Sequence, residues 1–270
     1  MLPALIASDV DGTLLDPAER ITDRTRQAVQ AAVADGVTFV LATGRPPRWI
    51  PPVVEQLGFA PVAVCANGAV LYDAAADRII SAETLSVDTL TELAEITARS
   101  VPGAGLAAER IGRSAHDTAT PQFVSAPGYE HAWLNPDNTE VSHRDLLSAP
   151  AVKLLVRKPG MPSSELAARL AQHIGTLGDI TYSTNDGLVE ISAIGISKAL
   201  GVQQVAHPLE IGSEEVVAFG DMPNDVPMLQ WAGHGVAMGN AHPEAMAAAN
   251  EVTAPNDDDG LARVLERWWL

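Results

Sequence analysis

The chain has 270 residues, 47% of them hydrophobic, with a formal net charge of −17. That length and apolar content suffice for one large domain or two modest ones, each with its own core. The acidic balance argues against nucleic acid or an anionic membrane as a partner, since both are bound through positive charge.

Short apolar segments alternate with amphipathic segments along the first part of the chain, which is typical of a parallel sheet covered by helices. Helices ending near Gly36 and at Gly58 separate strands predicted at residues 5–9, 37–42 and 62–65. Asn67-Gly68 predicts a turn, followed by a hairpin of residues 70–72 and 78–81.

From about residue 84 the pattern changes to mixed helix and strand. Residues 101–150 are rich in Gly, Pro, Asn and His and show only short strand-like pieces. The predicted elements are helices at 86–100 and 163–175 and strands at 106–110, 122–124, 152–157, 180–183 and 188–192. We predict an inserted α+β domain over residues 84–187 and assign residues 1–83 and 188–270 to the core.

The alternating pattern resumes at Ser197, with strands predicted at 216–219, 236–238 and 251–253 and a helix after each. The fold class is therefore α/β, a Rossmann-like parallel sheet with helices on both faces and an inserted α+β domain. The last helix ends in Trp268-Trp269, which we expect to pack against the core, with a dimer contact as the alternative.

Polar residues follow the predicted core strands at their carboxyl ends, where open α/β sheets bind ligands. They are Asp9 and Asp11, then Thr43, Gly44 and Arg45, then Asp221, Asn224 and Asp225, while Lys198 opens the helix after the insert.

This combination predicts phosphoryl transfer. A carboxylate can attack phosphorus, and a second acid can protonate the leaving oxygen and then activate water. Magnesium prefers oxygen ligands and neutralises both the carboxylate and the phosphate. A lysine, a threonine hydroxyl and loop N–H groups can hold the remaining phosphate oxygens.

The set resembles the four motifs of haloacid dehalogenase (HAD) superfamily phosphatases. They are Asp9-Val10-Asp11-Gly12-Thr13, Thr43-Gly44-Arg45, Lys198, and Gly220-Asp221-Met222-Pro223-Asn224-Asp225. An insert between the second and third motifs is similar to that of type IIB, Cof-like members, as are Met238-Gly239-Asn240-Ala241 and Asp259-Gly260. The resemblance covers the whole core and implies a cap of C2B type that selects the substrate.

The resemblance also implies residue roles. Asp9 is expected to be the nucleophile and a ligand of Mg²⁺. Asp11 is expected to be the general acid/base and to give its backbone carbonyl to the metal, and Asp221 to be the second carboxylate ligand. The other expected roles are phosphate binding by the Val10 N–H, Thr43, Gly44, Lys198 and Asn224, and support of these groups by Arg45 and Asp225.

Two positions depart from the pattern of the family. Met222 offers no side-chain oxygen where relatives often carry Asn or Ser, and Pro227 stands where many relatives have an aliphatic residue.

In the insert, Arg110, Arg113 and His116 are candidates to contact the leaving group. Trp133 and His143 are weaker candidates for the same role.

Two alternatives stay open at this point. A phosphomutase would share the core and a similar cap but return the phosphoryl group to the sugar. A non-enzymatic phospho-receiver also surrounds magnesium with acidic residues, a Thr and a Lys. Its acceptor Asp lies on a different strand from its acidic pair, so the arrangement of Asp9 and Asp11 argues against it.

We therefore predict a Mg²⁺-dependent phosphatase, acting as a monomer or homodimer on a small phosphorylated metabolite, with a sugar phosphate as one candidate. Cys65 is the only cysteine, so no intrachain disulfide can form. The sequence shows neither a signal-peptide pattern nor an apolar run of the roughly 20 residues that span a membrane. The expected location is the cytoplasm.

Overall fold

The computed structural model describes residues 2–132 and 136–269. The strands are β1 (Leu5–Ser8), β2 (Thr38–Ala42), β3 (Val62–Cys65), β4 (Val70–Asp73), β5 (Arg78–Ala82), β6 (Gly105–Glu109), β7 (Phe123–Ser125), β8 (Asn138–Glu140), β9 (Lys153–Arg157), β10 (Asp179–Thr181), β11 (Leu188–Ser192), β12 (Val216–Gly220), β13 (His234–Ala237) and β14 (Glu251–Val252). The α-helices are α1 (Asp23–Ala34), α2 (Pro51–Leu57), α3 (Val87–Ser100), α4 (His143–Leu146), α5 (Ser163–Ile174), α6 (Lys198–Ala206), α7 (Val226–Trp231), α8 (Pro243–Ala248) and α9 (Gly260–Trp269).

The first of two compact units consists of the residues up to Ile80 together with those from Ser197 onward. Within the described part of the chain, its sheet has eight strands in the order β14-β13-β12-β1-β2-β3-β4-β5. The strands from β14 to β3 are parallel, and β4 runs antiparallel to β3. Ser8 of β1 pairs with Phe219 of β12 and with Leu41 of β2, so these three strands end side by side.

Both faces of this sheet are covered. Leu5 and Ala7 of β1 belong to an apolar cluster with residues of α6, α7 and α8. Ile6 points to the opposite face, since side chains alternate along a strand, and it is also fully buried. Helix α1 contacts β2 and packs against α9, where Arg24 pairs with Glu266 at 2.6 Å. The predicted α/β core is confirmed.

The second unit is the insert, Ser81–Ile196. In the described residues its sheet has six strands in the order β10-β11-β9-β6-β7-β8, and its pairs are antiparallel except for β7 with β8. Helices α3 and α5 contribute apolar side chains to a core shared with β6, β7, β9 and β11, including Leu93, Leu154 and Leu170. The insert therefore has a hydrophobic core of its own.

The boundary predicted at residue 187 is wrong, because β11 pairs with both β9 and β10 and therefore belongs to the insert. The first unit resumes at Ser197, whose side chain accepts a hydrogen bond from the N–H of Leu200 and caps α6. Strand β8 was not predicted either, since its residues Asn138–Glu140 are polar and half or fully exposed.

Pro227 disrupts no helix. Pro223–Asp225 forms a separate 3-10 turn before the helix. Helix α7 starts at Val226, so Pro227 lies in its first turn, where the backbone N–H would have no partner within the helix. Over residues 2–132 and 136–269, no helix is long and apolar enough to cross a membrane.

Candidate active site

Asp9 follows β1 directly and is nearly buried, with 5% of its surface exposed. Its N–H donates to the carbonyl oxygen of Phe219 at 3.0 Å, which extends the pairing of β1 with β12 by one residue. A wide turn, Val10–Leu14, then leads the chain away from the sheet. Gly12 in this turn has a φ of +75°, and a Cβ there would lie 2.3 Å from Oδ2 of Asp221. Only glycine allows this close approach without strain.

Asp221 follows β12, the strand beside β1. Thr13 donates its hydroxyl to Asp221 Oδ1 at 3.3 Å, and the carbonyl oxygen of Asp221 accepts from the N–H of His242 at 2.7 Å. The N–H groups of Asp221 and Met222 both donate to Oδ2 of Asp225, at 3.0 and 2.9 Å. The loop after β12 is thus held from both sides.

Lys198 opens α6 and is buried, with 1% of its surface exposed. Its ammonium donates to Asp9 Oδ1 at 2.6 Å and to Asp225 Oδ1 at 2.7 Å. Burial alone would lower the pKa of Lys198, but the carboxylates of Asp225 and Asp9 outweigh it and raise that pKa above its ordinary value. Lys198 therefore stays charged and bridges two acidic residues.

Carboxylate oxygens of Asp9, Asp221 and Asp225 all lie within 4.8 Å of one another. Burial, with the charges of Asp225 and Asp221 adding to it, raises the pKa of Asp9 well above its ordinary value despite Lys198. Burial, followed by the charge of Asp225, raises the pKa of Asp221 to about 7. Among the described residues, the cluster combines three carboxyl groups with one ammonium group, that of Lys198, so acidic groups outnumber basic ones.

A divalent cation fits this cluster. Its donors are carboxylate oxygens, the ligands that hard divalent ions prefer, and the added charge would let all three groups ionise together. Both oxygens of Asp225 are engaged, by Lys198 on one side and by two backbone N–H groups on the other. This leaves Asp9 and Asp221 as the carboxylates best able to bind the ion directly.

Thr43 and Arg45 lie at the end of β2, the other neighbour of β1. Thr43 is fully buried, its N–H donates to the carbonyl oxygen of Val64 at 2.8 Å, and its hydroxyl oxygen accepts from the N–H of Arg45 at 3.0 Å. That bond uses a lone pair of the hydroxyl, so its proton can be donated to a phosphate oxygen.

The Asp11 carboxylate lies outside the buried acidic cluster. Its side chain is 58% exposed, and both of its oxygens accept from the Arg45 guanidinium, at 2.6 and 2.8 Å. Such two-pronged pairs fix orientation as well as charge. The two aspartates of the first motif therefore have different surroundings: Asp9 faces Lys198, and Asp11 faces Arg45.

Two further residues belong to this region, and sequence reasoning gave neither of them a role: Asn240 was noted only as part of the segment of residues 238–241. Asn67, interpreted only as part of a turn, accepts at Oδ1 a hydrogen bond from Nδ2 of Asn224, at 3.1 Å. Asn240 donates from Nδ2 to the carbonyl oxygen of Gly12 at 2.9 Å and accepts at Oδ1 from the N–H of Asn256. The available signal was that each Asn follows a core strand, at the edge where the motifs meet.

The candidates in the insert have surroundings of their own. Arg110 donates to the carbonyl oxygens of Asp145 and Leu146 at the end of α4, at 2.6 and 3.4 Å, and thereby supports the fold of the insert. Arg113 and His116 are exposed, and His143 begins α4. Trp133 lies outside the described residues. Contact of any of these with a leaving group stays a prediction.

The C-terminal tryptophans are half-exposed and contact residues of the first unit, so their packing against the core stays a prediction. Trp269 donates from its indole N–H to Asp35 at 3.2 Å, and Trp268 meets the His234 ring edge-on, with 6.5 Å between ring centres. Cys65 is buried on β3.

Comparison with known proteins identifies the family. Residues 6–265 match the haloacid dehalogenase-like hydrolases. A 5-amino-6-(5-phospho-D-ribitylamino)uracil phosphatase of Bacillus subtilis is 29% identical over 272 residues, covering 99% of this chain and 98% of the relative. A pyridoxal phosphate phosphatase of Escherichia coli is 29% identical over 273 residues, covering 98% of each.

The fold agrees with the same assignment. A solved HAD subclass IIB sugar phosphatase has a TM-score of 0.79 to this chain at 23% identity, covering 98% of each chain. The chain belongs to the haloacid dehalogenase-like hydrolases and is an enzyme of the phosphatase class. The family predicted from the four motifs is confirmed.

Proposed function

We propose that this enzyme hydrolyses the phosphate monoester of a small metabolite through an aspartyl-phosphate on Asp9, with Mg²⁺ bound by Asp9 and Asp221. The observation that carries the proposal is the Lys198 bridge between Asp9 and Asp225, next to Asp221, in a buried site. It orients one oxygen of Asp9 and leaves the other for attack on phosphorus.

Asp9 and Asp11 divide the chemistry between them. Asp9 attacks phosphorus, forming an O–P bond as the bond to the leaving alcohol breaks, and Asp11 donates the proton that this alcohol takes up. Asp11 then accepts a proton from water as the water oxygen attacks phosphorus, and the bond between phosphorus and the Asp9 oxygen breaks. Inorganic phosphate leaves, and Asp9 is regenerated as a carboxylate. Arg45 binds both oxygens of Asp11 in the carboxylate form, which is the form that accepts a proton from water.

The phosphoryl oxygens need donors that are fixed before the substrate arrives. The Thr43 hydroxyl, the Lys198 ammonium, the Asn224 amide and the N–H groups of Val10 and Gly44 are proposed to supply them. When bound, Mg²⁺ would neutralise charge on the carboxylates and on the phosphate, which otherwise repel each other.

The substrate class follows from the relatives. The two curated relatives described above are named for phosphorylated small molecules, 5-amino-6-(5-phospho-D-ribitylamino)uracil and pyridoxal phosphate. We infer that this chain also acts on a phosphorylated metabolite of that size, a sugar phosphate being one candidate. The insert, Ser81–Ile196, is proposed to select the leaving group, in line with the cap of the family.

A phosphate-release screen over phosphorylated metabolites tests the proposal. The wild type should release inorganic phosphate without an activating bisphosphate, should stop in EDTA, and should recover with added Mg²⁺. Asp9→Asn should release none while keeping its far-UV circular dichroism, and Asp257→Asn, at an exposed position, should match the wild type. Turnover by Asp9→Asn would overturn the assignment of the nucleophile, and a strict need for a bisphosphate would indicate a mutase.

A further inference from the structure

Asn67 occupies a backbone conformation that few residues tolerate. It lies in the turn Ala66–Gly68 directly after β3, with a φ of +59°, and only 3% of its surface is exposed. Apart from glycine, asparagine is among the residues that enter this left-handed region most readily. Ala66 before it also has a positive φ, +50°, so two consecutive residues hold a strained conformation.

The turn is attached to the second motif. The N–H of Asn67 donates to the carbonyl oxygen of Thr43 at 3.0 Å, and the N–H of Ala66 donates to that of Arg45 at 3.0 Å. A Cβ on Gly44 would lie 3.1 Å from Oδ1 of Asn67, so the side chain of Asn67 lies close to the backbone of Gly44. The strained turn thus places the Asn67 amide beside the segment proposed to bind phosphate.

The same side chain reaches the fourth motif. Oδ1 of Asn67 accepts from Nδ2 of Asn224, across 157 positions of sequence. An acceptor at this place distinguishes the two ends of the Asn224 amide, because an oxygen turned toward Oδ1 would meet a second acceptor. Nδ2 of Asn224 carries two protons, and its bond to Asn67 uses one of them. The other proton can be donated to a ligand acceptor such as a phosphate oxygen.

We propose that Asn67 is a positioning residue for phosphate binding: it orients the amide of Asn224 and joins that amide to the Thr43-Gly44 segment. This rests on the proposed function for the role of Asn224 as a phosphate ligand. The left-handed turn explains why the position calls for asparagine, since it needs both a tolerance for positive φ and a side-chain acceptor.

Asn67→Gly distinguishes the contribution of the side chain from that of the backbone conformation. Glycine adopts a φ of +59° without strain, so this variant removes the acceptor and keeps the turn. Asn67→Asp keeps both the acceptor and much of the tolerance for positive φ. Asn185→Gly is the matched control, because Asn185 is an exposed turn residue of the insert whose Oδ1 accepts from the N–H of Ser164.

The test measures binding of inorganic phosphate in Mg²⁺ by calorimetry, together with kcat and KM for p-nitrophenyl phosphate. Asn67→Gly should raise the Kd of phosphate about tenfold, the factor that corresponds to one lost hydrogen bond. In an Asn224→Ala background the same change should add less than about twofold, since residues that act through one another are not additive. In an Asn67→Asp background, Asn224→Ala should still raise the Kd of phosphate, because that background keeps the acceptor that orients Asn224. Asn185→Gly should leave the Kd unchanged.

An unchanged Kd in Asn67→Gly, an equal effect with and without Asn224, or a wild type that binds no phosphate would each overturn the proposal. A merely structural role would lower the melting temperature and act equally in both backgrounds. Because phosphate binding is measured apart from turnover, a wild type that binds phosphate through Asn67 but releases none from any ester would refute the proposed function and leave this inference standing.

Discussion

Replacement of Asp221 by asparagine removes one of the three clustered carboxylates and keeps the shape of the side chain. In the absence of metal this change should stabilise the protein at neutral pH. Burial and the charge of Asp225 both disfavour the ionised form of the Asp221 carboxyl group, and asparagine carries no charge. Thr13 can still donate to the remaining amide oxygen, so the local hydrogen bond survives. The active-site residue is thus expected to oppose folding of the metal-free chain.

The size of the effect follows from the pKa of Asp221, which burial raises from the ordinary 3.8 to about 7. The folded state binds the proton more tightly than the unfolded state, so this group lowers stability as pH rises from about 4 to about 7. At about 1.4 kcal/mol for each pKa unit, the full cost is about 4 kcal/mol above pH 7 and about 1–2 kcal/mol at pH 5. Asp221→Asn should recover most of that difference.

Urea unfolding in EDTA at pH 5 and pH 8 measures the effect. Asp221→Asn should unfold at higher urea than the wild type at pH 8, with a clearly smaller difference at pH 5, while exposed Asp257→Asn should follow the wild type at both. Added Mg²⁺ should stabilise the wild type far more than Asp221→Asn. A variant no more stable than the wild type at pH 8, or an advantage that is the same at both pH values, would refute the electrostatic reasoning.

Three other substitutions test separate contacts. Arg45→Lys keeps the charge but loses the two-pronged bond to Asp11, so kcat for p-nitrophenyl phosphate should fall about tenfold or more with little change in KM. An unchanged kcat would show that Arg45 does not position Asp11. Gly201→Ala would place a Cβ 2.2 Å from Cγ1 of Val64 and should lower the free energy of unfolding by about 1–3 kcal/mol. An unchanged urea midpoint would mean that α6 can move away from β3. Glu190→Ala removes a partner of the buried Lys153 ammonium and should lower the free energy of unfolding by about 3–5 kcal/mol. Adding Lys153→Met to the same chain should restore part of that loss, and no restoration would show that lost packing causes it.

Much of the core was predictable from local patterns. Short apolar strands alternating with helices define a parallel sheet, and the carboxyl ends of its neighbouring strands share one edge. The structure places β12, β1 and β2 side by side, so the residues that follow them meet as expected. The pattern was weakest between residues 101 and 150, where β8 is short, polar and not fully buried.

The insert boundary shows where local patterns fail. The turn Asn185-Asp186-Gly187 joins β10 to β11, but a turn carries no information on which sheet the two strands enter. That choice depends on the pairing of β11 with β9, a contact between segments distant in sequence. Strand β11 therefore belongs to the insert even though it follows residue 187, where the insert was predicted to end.

The sequence alone determined the family, the order of the motifs and the residue types available for chemistry, because each of these is set by spacing along the chain. Tertiary structure decided which side chains touch. Asp9 and Lys198, 189 positions apart, meet at 2.6 Å, while Asp11, two residues from Asp9, turns to Arg45. It also brought Asn67 to Asn224, since a left-handed turn aims a side chain in a direction that residue spacing does not specify.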